Sequence, residues 1–200
     1  LGASGYGVFA FSFSMVTLAA LPASLGFRSL LTREVARFAE LKEWSTLKGI
    51  LQFSIGAVLL ASIILACGMY GLSMGLSWPG DVTLQSGLQL ALWSLPLFAM
   101  VPVWQGTLTG LHQTHRAQIP EAIVRPVLFL GALLLWQGRG DSFTVTQAIF
   151  VNMGAMAVAF GVSAALVNRY TPYKVKEAAA SYQPSTWLRS GTFFLLFSGM

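Results

Sequence analysis

Four stretches of this sequence contain no Asp, Glu, Lys or Arg: residues 1–27, 49–80, 82–115 and 142–168. A helix needs about 20 mostly apolar residues to cross a bilayer, and each stretch is long enough. Between the third and fourth lies 119–136, apolar except for Glu121 and Arg125, which reads as a fifth span carrying two charges. The chain as a whole follows the same pattern, with 55% hydrophobic and 10% charged residues and a mean hydropathy of +0.67. A soluble domain carries roughly 25% charged residues, so the composition excludes an ordinary water-soluble globule, and it equally excludes disorder. The prediction is an all-α, polytopic transmembrane helix bundle with spans at about 6–27, 50–76, 87–108, 119–136 and 145–167.

The chain opens without Met, in a glycine-rich run, GASGYG, that reads as an interhelical turn. It ends in an apolar run, 187–200, that begins a further span and stops. The expectation is a fragment, with an unseen span ahead of Leu1. No basic segment precedes the first apolar stretch, which argues against a signal peptide. The single cysteine, Cys67, cannot pair within the chain. In an apolar helix it reads as core packing and says nothing about redox compartment.

The net charge of +5 invites a nucleic-acid reading, and the placement of the charges removes it. Arg28, Arg33, Arg37, Lys42 and Lys48 follow the span at 6–27, Arg116 that at 87–108, and Arg169, Lys174, Lys176 and Arg189 that at 145–167. The alternate loops hold one basic residue, Arg139, with Asp81 and Asp141, while Arg125 lies inside the fifth span. Ten basic residues against one place the ten in the cytoplasm and the start near Leu1 outside. No stripe remains for DNA or RNA.

Residues 29–48, SLLTREVARFAELKEWSTLK, set Leu31, Val35, Phe38 and Trp44 near helical spacing, with Arg33, Arg37, Glu40 and Lys42 elsewhere on the wheel. They form either a short helix along the inner headgroups or an extension of the neighbouring spans. The longest polar stretch, 170–186, carries Pro172, Pro184 and three consecutive alanines. The chain thus divides into a bundle over 1–168, a cytoplasmic linker over 169–186 and the start of a further span at 187–200.

Two features mark a candidate site. The third span carries Pro96 and Pro102 beside Trp93 and Trp104. Proline in a membrane helix removes a backbone bond and kinks the helix, so the span either bends around a cavity or simply shares the higher proline content of membrane helices. In the fifth span, IPEAIVRPVLFLGALLLW, Glu121 and Arg125 stand four apart and share a helix face. An arginine at mid-bilayer costs about 2.5 to 3.5 kcal/mol on insertion scales, so its head faces protein, water or a partner charge. Either the pair neutralises itself and reaches for the inner surface, or Arg125 receives an anionic group in an aqueous cavity while Glu121 tunes it or exchanges a proton.

Enzyme signatures are scarce. His112 and His115 flank a turn with no third ligand at metal spacing, no glycine-rich phosphate loop follows a strand, and no Ser, His and Asp set is arranged for nucleophilic work. The expectation is no metal, no cofactor and no catalytic residues.

Two segments carry a resemblance. LGASGYGVFAFSFSMVTLAALPASLGFRSLLTREVAR resembles the second-span region of bacterial polysaccharide-biosynthesis membrane proteins, the oligosaccharidyl-lipid (O-antigen type) flippases of the multidrug/oligosaccharidyl-lipid/polysaccharide exporter superfamily. There a Leu-Gly and Gly-Tyr-Gly turn leads to a helix ending in Leu-Gly and a basic helix with Glu-Val-Ala-Arg. GLHQTHRAQIPEAIVRPVLFL is similar to the pattern joining that family's fourth and fifth spans, with Gly-Leu, Gln-x-Pro-Glu and Arg-Pro. The resemblance implies a fold of two six-helix lobes around a cavity that opens alternately to each side, of which this chain holds most of the first. It implies a multi-pass protein of the bacterial inner membrane that moves a sugar linked to a prenyl phosphate or diphosphate among membrane lipids, driven by H+ or Na+. Arg125 and Arg28 are the candidate substrate-binding cations and Glu121 the candidate coupling acid. The alternatives are a cation-coupled multidrug exporter of the same superfamily and a membrane-embedded glycosyl- or acyltransferase using His112 or His115.

Overall fold

The computed structural model describes residues 2–24, 26–75, 82–137, 144–182 and 187. In a bilayer, backbone N–H and C=O groups have no water to bond, so an apolar stretch can satisfy itself as a helix. All regular structure among the described residues is helical. The order is α1 (Ala3–Ala23), α2 (Phe27–Glu40), α3 (Trp44–Gly75), α4 (Val82–Leu92), α5 (Leu95–Gly110) and α6 (Thr114–Ile119). A π-helical turn (Pro120–Val124) then leads into α7 (Arg125–Gln137), followed by α8 (Val145–Tyr170) and α9 (Tyr173–Glu177). Ser4–Ala23, Trp44–Gly75, Thr114–Trp136 and Val145–Tyr170 are each long and apolar enough to cross a membrane, and α4 with α5 makes a fifth if that bent pair is one span. The protein is an all-α polytopic bundle.

Several local expectations are corrected. The opening glycines form no turn: Gly5 and Gly7 belong to α1, whose first turn closes through Tyr6 N–H donating to the Gly2 carbonyl at 3.0 Å. Glycine's helix penalty of about 1 kcal/mol is smaller than that of an unpaired backbone group away from water. Of the two readings of 29–48, the separate short helix holds, over residues 27–40 and set off from α1 by Gly26 at φ 67, where glycine avoids the clash a Cβ would suffer. Trp44 heads α3 instead of joining it. The third span breaks at Trp93–Ser94, with the two halves meeting at 42°. Pro96, second in α5, offers no N–H to the Leu92 carbonyl and its ring crowds it, so α4 ends at Leu92. Pro102 sits inside α5 without interrupting it. Cys67 is exposed, beside Tyr70, Gly71 and Trp93, and is not core. The expectations placed on Asp81, Arg139, Asp141 and Arg189 lie outside the described residues.

Helix α5 is the hub, packed by α1, α2, α3, α6 and α8. Lipid tails are as apolar as leucine, so helices associate there through close van der Waals fit, which small residues permit. On α5 those residues are Gly106 and Gly110. A Cβ on Gly106 would lie 2.6 Å from the Arg28 carbonyl oxygen, and one on Gly110 2.7 Å from Val35 Cβ. The pair lets α2 settle onto α5, burying Phe27, Leu30, Leu31, Val35 and Phe38.

The expected linker is strapped to the foot of α3. Lys48 Nζ donates to the carbonyls of Lys176 and Ala178 at 2.8 and 2.9 Å, Ser181 N–H donates to the Ser45 carbonyl, and Tyr182 hydroxyl donates to Gln52. A Cβ on Gly49 would collide with the Ser181 carbonyl oxygen, 1.9 Å away. Trp187 is buried with its ring 5.5 Å from that of Phe53.

Candidate functional site around Arg125

Two prolines shape the fifth span where the charges sit. Pro126 has no N–H for the Ala122 carbonyl, and the ladder widens just before it, with Arg125 N–H donating five residues back to the Pro120 carbonyl. Such wide turns inside α-helices are frequent at functional sites. The turn carries Glu121, and the first residue of α7 is Arg125. Their side chains pair, Arg125 Nη1 donating to Glu121 Oε1.

The pair is held from three sides. The Arg125 guanidinium stands 4.7 Å above the Phe98 ring of α5. Phe9 and Phe13 of α1 and Phe129 of α7 line the same cavity, of about 280 Å³, with Phe9 and Phe129 stacked at 6.0 Å. From α8 comes Asn152, 5% exposed, whose amide has no hydrogen-bond partner among the described residues. The side chains of Arg125 and Glu121 keep 20% and 31% of their surface exposed, so both charges remain open to the cavity. A planar guanidinium in this position can hold an oxyanion through a two-pronged contact, and a partly open carboxylate can exchange a proton or a small cation.

Arg28 does not converge on this site. It lies near the basic end of the bundle, lining a separate cavity of about 400 Å³ between α2, α5 and α6. His112, held at φ 59 on the α5–α6 turn, and His115 in the first turn of α6 are exposed and line neither cavity. Among the described residues no three His, Cys, Asp or Glu side chains gather as a metal site. Helix α2 buries a carboxylate that sequence reasoning passed over: Glu34, 8% exposed, bonded by Arg33 at 2.9 Å and Arg37 at 3.4 Å. Asn152 and Phe98 were also missed; an amide in the charge-free run 142–168 was the available signal for Asn152, and nothing local distinguishes Phe98 from other apolar residues.

Comparison with family models, with curated proteins and with solved structures returns no match.

Proposed function

We propose that this protein is a transporter that moves a lipid-linked oligosaccharide or polysaccharide precursor across the bacterial inner membrane by alternating access. The observation that carries the reading is the Glu121–Arg125 pair on a widened turn of an apolar span, open to an aromatic cavity. A pair serving only neutrality has no need of a cavity or of an amide lining it. In this reading the phosphate or diphosphate of the carrier takes the Arg125 fork, displacing Glu121, and Asn152 donates to a sugar or phosphate oxygen. The freed carboxylate takes up H+ or Na+ and returns to Arg125 when the anion leaves. The carrier's prenyl tail stays in lipid. The resemblance of residues 1–37 and 110–130 to oligosaccharidyl-lipid flippases supports the same reading.

The second reading, a cation-coupled drug exporter, draws on the three phenylalanines that line the cavity with Glu121, which would suit an organic cation. Arg125 over Phe98 already supplies a cation there and repels another. A transferase would require an acid or base beside His112 or His115, and the reading here is of a non-enzyme.

The test removes both charges together, so that no buried ion is left unpaired. In a source strain lacking the gene, Glu121→Gln with Arg125→Gln is expected to reach wild-type membrane levels yet restore no surface polymer. Arg125→Lys is expected to restore part of it, keeping the charge without the fork. Full restoration by the double variant overturns the proposal.

A further inference from the structure

The Arg28 cavity has a construction of its own. Each of its three helices contributes polar residues four apart, and therefore on one face: Arg28 and Thr32 from α2, Gln105 and Thr109 from α5, Thr114 and Gln118 from α6. Ser29 and Arg33 extend the α2 row. The close approach at Gly106 brings these rows together, since a side chain there would strike the Arg28 backbone. Thr32 hydroxyl is occupied, donating to the Arg28 carbonyl at 2.9 Å, and Arg33 is committed to Glu34. The remaining donors are not: among the described residues, the Arg28 guanidinium, the hydroxyls of Ser29, Thr109 and Thr114 and the amides of Gln105 and Gln118 have no partner.

We propose that this cavity is a binding site for a phosphate group at the basic surface of the bundle, distinct from the Arg125 cavity and independent of the transport reading. Donors approaching from three helices match the tetrahedral array of phosphate oxygens, whereas a planar carboxylate would leave one wall of donors unused. Among the described residues no carboxylate lines the cavity, so it offers an anion no repulsion and a neutral sugar no strong acceptor. At about 400 Å³ it falls within the size range of small-ligand sites. The phosphate has two possible sources, the headgroup of a membrane lipid and a soluble phosphate, and the chemistry of recognition is shared.

The test uses the full chain in detergent. Retention of phosphatidic acid over phosphatidylcholine is measured by native mass spectrometry, and binding of inorganic phosphate and pyrophosphate by titration calorimetry. Wild type is compared with Arg28→Gln, Arg28→Lys and Arg116→Gln. Arg116 lies at the same end but is engaged elsewhere, bonded to Gln113 and 4.4 Å above the Tyr170 ring. Arg28→Gln is expected to weaken phosphate binding by about tenfold or more, the worth of a charge-assisted hydrogen bond, with Arg28→Lys intermediate and Arg116→Gln within about twofold of wild type. Binding of phosphatidic acid alone assigns the site to lipid, and displacement of that lipid by pyrophosphate assigns it to soluble phosphates; either supports the site. Binding of neither probe by wild type, or equal weakening by Arg28→Gln and Arg116→Gln, overturns it.

Discussion

Gly106 shows how far a single residue can reach in this bundle. Its missing side chain admits the Arg28 backbone, with the Arg28 carbonyl oxygen 2.6 Å and its Cα 3.0 Å from where a Cβ would stand. Neither atom is the free end of a flexible side chain, so Gly106→Ala must push α2 away from α5. Overpacking of this kind costs typically 1–3 kcal/mol, or about that range here. The variant is expected to unfold at lower temperature in detergent than wild type, whereas Gly131→Ala, with nothing within 4 Å of its added Cβ, should melt unchanged or slightly higher. Equal melting of the two variants would show that the Gly106 approach is not tight. At this scale the sequence was unevenly legible. Glu121 and Arg125 stand out because charge is rare in an apolar span, and their spacing of four already predicted the pairing found. The glycines four apart on α5 were readable as a close-packing motif but look ordinary among 20 glycines. Glu34 was hidden by its neighbours, since a carboxylate in a basic surface helix gives no local sign of being buried.

At the scale of the helix, the decisive element is the broken α4–α5 span. Two prolines promised a bend, and only Pro96 marks it, because its missing N–H falls opposite the last residue of α4 while Pro102 is absorbed within α5. The α8 start, by contrast, is fixed by a capping box in which Thr144 and Gln147 bond each other's backbone N–H groups. Such ends can be read from sequence, whereas which of two prolines breaks a helix depends on the neighbours that satisfy the freed carbonyls. Pro96→Ala restores a donor to the Leu92 carbonyl and removes a breaker worth about 3 kcal/mol. Amides from Trp93 to Leu97 are then expected to exchange with deuterium at least about tenfold more slowly, read by mass spectrometry on the protein in nanodiscs. Pro102→Ala should leave exchange at those amides as in wild type. Unchanged exchange in Pro96→Ala would place the cause of the break in tertiary packing instead of proline.

Across the whole molecule, the existence of the helical spans followed from apolar length, free of charge in four stretches and broken only by Glu121 and Arg125 in 119–136, because lipid leaves an apolar stretch few other ways to satisfy its backbone. Which faces would meet did not follow, since a helix that is apolar all round carries no stripe pointing to its neighbours. The bundle is accordingly uneven: 6% of the apolar window of Thr114–Trp136 is buried, against 28% for each of the other three single helices. That leaves Ile123, Val127, Leu130 and Leu134 exposed along the element that carries Arg125. The charges impose a stricter global condition. Lys48 at the foot of α3 holds two carbonyls at the end of α9, so the α2–α3 turn with Lys42 and the α9 turn with Lys174 must lie at the same membrane surface. The ten-to-one asymmetry of basic residues predicts that this surface is the cytoplasmic one. In a Cys67→Ala background, single cysteines at Lys42 and Lys174 are expected to resist an impermeant maleimide in intact cells and to react once the cells are opened. Cysteines at Asp81 and Asp141 should react in both conditions. Labelling at Lys42 in intact cells would reverse the orientation, and labelling at only one of Lys42 and Lys174 would break the strap that joins their turns.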